Sequence, residues 1–162
     1  MATPIRIVGI GSPHGGDQAG WDYVEALRIS GLQEHFPEGT VSIHQSPTPI
    51  HLFELLTGCQ HAIIIDAIQG KTGQITCLDL DDLDSQSNRY SVHGIGVAEA
   101  LALLNTLMNP APQTTIIAIG IDTIHGESTQ TDIRQPTVNE LGELVKQRIR
   151  HSLDAPRVTD VS

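Results

Sequence analysis

Short apolar runs alternate along the chain with polar stretches that are rich in glycine or proline. Residues 5–11 (IRIVGIG) form an apolar run that ends in glycines, which is typical of a strand buried on both faces. The polar loop after it leads to Trp21, Val24 and Leu27 at helical spacing, so the pattern predicts strand, loop and helix. Further strands are predicted at residues 40–44, 61–67, 75–80 and 114–121, and further helices at 50–56 and 96–107.

The connection between the third and fourth predicted strands decides the topology. Only residues 67–74 separate Asp66 from Ile75, whereas a parallel crossover takes a dozen residues or more. The fourth strand is therefore expected to run antiparallel to the third. The fold class that follows is α/β, a three-layer α/β/α sandwich around a mixed five-stranded sheet.

The last predicted helix opens at Thr137, because Glu140 three residues later would complete a capping box. Its apolar face consists of Val138, Leu141, Val145 and Ile149.

Residues 1–152 are predicted to form a single domain, which suits a chain of 162 residues. Residues 153–162 are predicted to form a flexible C-terminal tail.

The charge of the chain argues against several classes of partner. Nine basic against nineteen acidic residues give a formal net charge of −10, which repels phosphate backbones and anionic lipid. We therefore expect neither nucleic acid nor a membrane as partner. The sequence shows no basic leader and no run of about 18 apolar residues, and Cys59 and Cys77 match no zinc spacing. A cytoplasmic location is expected.

The loop GIGSPHGGDQAG lies between a strand and a helix, where a dinucleotide fingerprint would lie. The third glycine of GxGxxG is missing, the second strand ends in IHQS without an acidic residue for a ribose, and no P-loop lysine follows. Ser12, Ser46 and Ser91 lack a GxSxG elbow, and neither cysteine lies in a site-like loop. Nucleotide binding and a nucleophilic triad are both disfavoured.

Two carboxylates and a histidine are expected to meet at one edge of the sheet. Asp17 lies in the loop after the first strand, and Asp66 closes the third. His93 precedes a helix whose N-terminus should lie at the same C-terminal edge, where open α/β sheets bind ligands. Two oxygens, one nitrogen and an open position suit zinc or nickel. The structural alternatives are a helix cap for Asp17, a turn residue for Asp66 and a solvated or capping residue for His93.

The segments GIGSPHGGDQAGW, AIIIDA and SVHGIGVAEAL, in this order, resemble the motifs of the hydrogenase maturation proteases. These endopeptidases trim the C-terminal extension from the large subunit of nickel-iron hydrogenases. The resemblance runs from Ile5 to about Leu104 and continues through the later strand and helix. It implies an α/β/α sandwich with one antiparallel strand, and a metal site made of an acidic residue in the first loop, Asp66 and His93.

The acidic residue of the first loop can be assigned in two registers. The family pattern is GN, three residues, then GDDGxG or a variant with Glu, and its second acidic residue is the ligand. Counting without a gap from Gly11 places Gln18 at that position. A loop one residue shorter aligns GGDQAG with GDDGAG, matches Ala19 and Gly20, and makes Asp17 the ligand. We prefer the second register.

The resemblance implies a metal-dependent, nickel-sensing peptidase of the aspartic type that acts on a [NiFe] hydrogenase large-subunit precursor. Nickel carried by the substrate would be held by Asp17, Asp66 and His93 and would polarise the scissile peptide as a Lewis acid. Zinc or another divalent ion is expected to occupy the site in vitro. The alternative is a non-catalytic metal-binding or chaperone-like relative that binds a large subunit without cleaving it. Gln18 and the stretch HQSPTP, which departs from the family pattern, motivate this alternative.

Overall fold

The computed structural model describes residues 4–11, 18–48, 51–79, 97–108, 110–121 and 134–154. In chain order the elements are β1 (Ile5–Ile10), α1 (Ala19–Ile29), a short 3-10 helix (Leu32–His35), β2 (Val41–Ser46), α2 (Leu52–Leu56), β3 (His61–Gln69), β4 (Ile75–Asp79), α3 (Val97–Leu107), β5 (Gln113–Ile121) and α4 (Gln135–Asp154). Each predicted strand and helix is present, with its ends shifted by no more than two residues. No helix within these ranges is long and apolar enough to cross a membrane.

The five strands form one mixed sheet in the order β2, β1, β3, β5, β4. β1 pairs in parallel with β2 and with β3, and β3 pairs in parallel with β5. β4 pairs antiparallel with β5, so it also runs antiparallel to β3, as the sequence predicted. The two strands are not hydrogen-bonded neighbours, however, because β5 lies between them.

The link between β3 and β4 crosses the end of β5. The backbone N–H of Gly70 donates to the carbonyl of Ile121 at 3.1 Å, and that of Gly73 donates to the carbonyl of Gly120 at 2.9 Å. A Cβ at Gly120 would stand 2.1 Å from the carbonyl oxygen of Lys71, so the close passage requires glycine there. The short link thereby reaches the far side of β5.

Helices cover both faces of the sheet and so form the predicted three layers. α1 and α4 pack on one face, and α2 and α3 pack on the other. Along β3, Ile63 and Ile65 belong to the first cluster. Ala62 and Ile64 belong to the second, as the alternation of side chains along a strand requires. The predicted apolar face of α4 is confirmed, because its four members are all buried: Val138, Leu141, Val145 and Ile149.

Side chains cap two outward carbonyl groups of β2, which is an edge strand. The side-chain amide of Gln33 donates to the carbonyl of Val41, and the guanidinium of Arg28 donates to that of Ile43, both at 3.1 Å. β1 takes its hydrogen bonds from the alternate carbonyls of this strand, so these two groups point away from the sheet. Two carbonyl groups at this exposed edge therefore already have hydrogen-bond donors from side chains of the same chain.

α4 begins two residues earlier than the sequence predicted. The prediction that Thr137 caps this helix is wrong, because the N–H of Val138 already donates to the carbonyl of Arg134 at 3.0 Å. Pro136 explains the earlier start, since its fixed φ and missing N–H suit the first turn of a helix. The helix runs to Asp154, and residues 155–162 lie outside the described residues. The extent of the tail stays a prediction.

Candidate functional site

The C-terminal ends of β1, β2, β3 and β5 form one edge of the sheet, which we call the rim. Ile10 pairs with Ser46, and these are the last residues of β1 and β2. Gly9 pairs with Ile65, so Asp66 follows at the level of Ile10, while β3 continues for three more residues. Asp66 therefore lies at the rim, although it does not end its own strand.

Asp66 presents a buried carboxylate at this edge. Its residue surface is only 5% exposed, and it lies opposite Ala118 in the pairing of β3 with β5. Alternation along the strand places it on the same face as Ile64, which is the face covered by α2 and α3. Among the residues whose burial is described, it is the only buried Asp or Glu. Carboxylate oxygens are ligands for zinc and similar divalent ions, so Asp66 supplies a donor of the predicted kind.

α3 starts at the rim on the same face as Asp66. Leu101 and Leu104 pack in the cluster that contains Ile64. At its other end α3 leads through residues 108–112 into β5, which is parallel to β3, and Leu104 lines a small cavity with Thr114 near the start of β5. α3 therefore runs antiparallel to β3, and its N-terminus lies at the rim.

α1 also begins at the rim, but on the opposite face of the sheet. Ala19 packs against Ala67 and Ile121, which lie near the ends of β3 and β5. A Cβ at Gly20 would stand 2.0 Å from the carbonyl oxygen of Ile10, so the first turn of the helix rests on the end of β1. The helices on both faces thus start at one edge.

One of the three predicted ligands, Asp66, falls within the described residues. Asp17 and His93 lie outside them, so the meeting of all three stays a prediction. Gln18, the alternative ligand, is at the N-cap position of α1, is partly buried and makes no side-chain capping hydrogen bond. Within the described ranges, no three His, Cys, Asp or Glu side chains come together in a way that could hold a metal ion.

Three hydrogen bonds that the sequence did not predict support the rim. The carbonyl of Ser46 accepts a hydrogen bond from Trp21 Nε1 at 3.0 Å and another from the N–H of Gly11 at 3.1 Å. The buried hydroxyl of Ser46 donates to the carbonyl of Thr48 at 2.7 Å. These bonds join β1, β2 and α1 at the edge. The single tryptophan of the sequence, directly after a glycine-rich loop, was the signal that could have revealed them.

Arg6 influences two titratable groups away from the rim. Its guanidinium donates to the carbonyl of Thr57 at 2.9 Å, beyond the end of α2. Burial raises the pKa of the Cys59 thiol to about 11, and the nearby charge of Arg6 offsets only part of this rise. Burial lowers the pKa of His44, and the charges of Arg6 and Arg28 lower it further. Cys59 is therefore protonated at neutral pH, which agrees with the expectation that it is not a nucleophile.

Comparison with known proteins identifies the family of the chain. The family model HycI, described as hydrogenase maturation protease, matches residues 31–151, which is about three quarters of the sequence. Among curated proteins, none matches the sequence.

Several solved structures share the fold. The hydrogenase maturating endopeptidase HybD from Escherichia coli is 24% identical, with a TM-score of 0.59, over 94% of this chain and 92% of that chain. The [NiFe] hydrogenase maturation protease HybD from Thermococcus kodakarensis is 20% identical, with a TM-score of 0.65, over 92% and 99%. The protease HycI from the same organism is 19% identical, with a TM-score of 0.63, over 91% and 93%.

These likenesses show the fold, and the family model adds a match at the level of sequence. From the two together we conclude that the chain belongs to the hydrogenase maturation protease family.

Proposed function

We propose that this chain is the endopeptidase that removes the C-terminal extension of a nickel-loaded [NiFe] hydrogenase large-subunit precursor. The observation that carries the proposal is the buried carboxylate of Asp66 at the rim, within the segment that the family model matches. Proteases of this family act on hydrogenase large-subunit precursors. A buried acidic group at the ligand-binding edge of an α/β sheet is suitably placed to take part in peptide cleavage.

In this proposal Asp66, Asp17 and His93 hold the nickel ion that the precursor brings. Asp17 comes shortly before α1 in the chain, and His93 comes shortly before α3. Because these two helices start at the rim on opposite faces of the sheet, residues that precede them can approach Asp66 from both sides. The arrangement of the helices therefore supports the set of ligands that the resemblance implies.

The proposed chemistry needs no Ser or Cys nucleophile. A divalent ion with three protein ligands would have room for a substrate group, and it would polarise the scissile carbonyl as a Lewis acid for attack by water. Two observations agree with this scheme. The pKa of the Cys59 thiol is raised to about 11, and the hydroxyl of Ser46 is engaged with the carbonyl of Thr48. Zinc or another divalent ion is expected to bind the same three residues in vitro.

Processing of the precursor tests the proposal. The chain is incubated with the large-subunit precursor in nickel-loaded and nickel-free forms, and the mass of the large subunit is measured. We expect a shortened large subunit from the nickel-loaded form only. A complex that forms while both precursors keep their full length would overturn the proposal in favour of a non-catalytic relative.

A further inference from the structure

One oxygen atom holds both the end of β1 and the start of α1. The carbonyl oxygen of Ser46 accepts the backbone N–H of Gly11 at 3.1 Å and the indole N–H of Trp21 at 3.0 Å. A carbonyl oxygen has two lone pairs, so these two donors saturate it. Gly11 directly follows β1, and Trp21 is the third residue of α1. The chain therefore leaves β1 and enters α1 at points that are tied to the same atom.

The bond of Trp21 differs in position from a similar bond at the other end of β2. Gln33 caps the carbonyl of Val41 at 3.1 Å, but Val41 is the first residue of this strand and Ser46 is the last. Val41 therefore lies at the edge of the sheet opposite the rim. Loss of either bond weakens the attachment of β2, but only loss of the Trp21 bond acts at the rim.

Ser46 also connects the two faces of the sheet. Ile43 packs in the cluster of α1 and α4, so alternation along β2 places the side chain of Ser46 on the other face, which is the face of Asp66. That side chain is fully buried, and its hydroxyl donates to the carbonyl of Thr48 at 2.7 Å. The residue that receives the indole bond from α1 is thus also fixed on the face of the candidate site.

Ser46 lies close to the carboxylate of the candidate site. Ser46 and Asp66 are level with Ile10, on the two strands that flank β1. Neighbouring strands lie about 4.8 Å apart, so the Cα atoms of Ser46 and Asp66 are roughly 10 Å apart. The start of α1 is therefore held to a point about 10 Å from Asp66.

We infer that Trp21 is a positioning residue for the metal site: its indole N–H holds the start of α1 to the end of β2 and so sets the approach of Asp17 to Asp66. This inference rests on the proposed function, in which both carboxylates bind the ion that the precursor brings. Asp17 comes two residues before α1 in the chain. Trp21 itself takes no part in the chemistry. Loss of a residue that supports metal ligands without binding the metal typically costs about 10–100-fold in metal affinity or activity.

The structural alternative is a bond that only stabilises the fold. A hydrogen bond between a side chain and a buried carbonyl contributes to stability wherever it lies. Stability therefore does not separate the two roles. The affinity of the folded protein for a metal ion and the rate of processing per folded molecule do separate them.

An isosteric replacement of Trp21 tests the inference. It is the single tryptophan of the sequence, so growth on benzothienylalanine replaces this residue alone. The analogue carries a sulfur atom in place of the indole N–H and keeps the shape of the ring. Fluorotryptophan, incorporated in the same way, keeps the N–H and is the first control. Gln33→Met is the second control, because it removes the donor to Val41 at the opposite edge.

Zinc affinity and precursor processing are measured for each protein. In the benzothienylalanine protein we expect zinc affinity, measured by calorimetry, to fall at least about tenfold, and kcat for the nickel-loaded precursor to fall about 10–100-fold. The fluorotryptophan protein and Gln33→Met should stay within about twofold of the parent in both quantities, because they keep the indole bond at the rim. Urea denaturation gives the folded fraction to which each value is normalised.

Each other result has a defined meaning. A parent that cuts the precursor, together with an unchanged zinc affinity and rate in the benzothienylalanine protein, overturns the positioning role and leaves the proposed function standing. Equal losses in Gln33→Met would overturn it as well. A parent that fails to cut the precursor refutes the proposed function and this inference together. If the benzothienylalanine protein does not fold, Trp21→Phe, which keeps an aromatic ring without the donor, is measured in the same way.

Discussion

Gly20 in the first turn of α1 packs directly on the carbonyl oxygen of Ile10, at a distance that leaves no room for a Cβ. The oxygen belongs to the last residue of β1, so this contact fixes where the helix starts relative to the strand. The loop between them contains Asp17, and it begins and ends at points that the contact determines. The geometry of the rim therefore depends on a glycine that itself has no chemical role.

Replacing Gly20 by alanine should destabilise the protein by about 1–3 kcal/mol, the usual range for forcing an extra group into a packed site. Gly142→Ala on α4 is the matched control, because its Cβ would meet nothing closer than 3.8 Å. Alanine there should raise stability by about 0.5–1 kcal/mol through helix propensity. Urea denaturation measures both changes. A Gly20→Ala variant that is more stable than the parent protein would contradict the tight contact.

Asp66→Asn should lower processing of the nickel-loaded precursor by at least about 100-fold, since loss of a partner outside the ligand set of a metal site already costs 10–100-fold. Asparagine keeps the shape of the side chain and removes the charge. The assay compares rates of extension removal at equal concentrations of folded protein. Processing at the rate of the parent would exclude Asp66 from the site.

His61→Gln is the control for this variant. His61 is a buried polar residue on β3, near the opposite edge of the sheet, where Nε2 lies 2.9 Å from Thr115 Oγ1. We expect a loss of roughly 1–2 kcal/mol of stability from the disturbed hydrogen bond, with processing by the folded fraction retained. A loss of processing equal to that of Asp66→Asn would show that any polar change in β3 disables the protein.

Asp17→Asn should abolish processing, whereas Gln18→Ala should leave much of it. The reason is that a charged oxygen binds a divalent ion far more strongly than an amide does. Neither change should unfold the protein, because the N-cap residue Gln18 makes no side-chain capping bond and asparagine keeps the size of the aspartate side chain. Melting curves accompany the assay. Full activity in Asp17→Asn with loss in Gln18→Ala would establish the ungapped register.

His44 should make the protein less stable in mild acid. Its pKa in the folded state lies below 6.5 because of burial and the charges of Arg6 and Arg28, so the unfolded chain binds the proton first. The free energy of unfolding should therefore fall as pH drops from about 6.5 through the folded pKa. His44→Gln removes this contribution. Urea denaturation at several values between pH 7.5 and pH 5 should show a shallower decline for the variant, and parallel curves would disprove the assignment.

The two thiols should react at different rates with a thiol reagent at pH 8. Cys59 is 8% exposed and has a pKa of about 11, whereas Cys77 on β4 is only partly buried. Since the thiolate is the reactive form, Cys77 should be modified first in the native protein, and Cys59 only after denaturant is added. Peptide mass spectrometry identifies the modified residue. Modification of Cys59 in the native protein would contradict its burial.

The direction of β4 could be predicted from the sequence, but the strand with which it pairs could not. Eight residues are too few for a parallel crossover, and this limit is a property of chain length alone. The insertion of β5 between β3 and β4 depends on the close passage of Lys71 over Gly120, a tertiary contact between residues distant in sequence. A pattern read along the chain does not contain such a contact.

The candidate site shows the same division between topology and local detail. Asp66 could be assigned to the rim because parallel strands end at one edge of a sheet. The sequence did not predict that Asp66 lies inside β3. The end of this strand is set by its pairing with β5, and the last pair is Gln69 with Ile121. The early start of α4 has a similar cause, because the geometry of Pro136 outweighed the capping box expected at Thr137. The assignment of Asp17 and His93 to the site rests on topology and on the resemblance to the family.

The capped carbonyls of β2 constrain how an extended peptide can be presented to this protein. A peptide that enlarges a sheet by one strand needs unoccupied backbone groups at the edge. Along β2 the carbonyls of Val41 and Ile43 are already bonded to Gln33 and Arg28, and an incoming chain would have to displace both side chains. The extension of a precursor should therefore approach the strand ends at the rim and should not add to the sheet as a further strand beside β2.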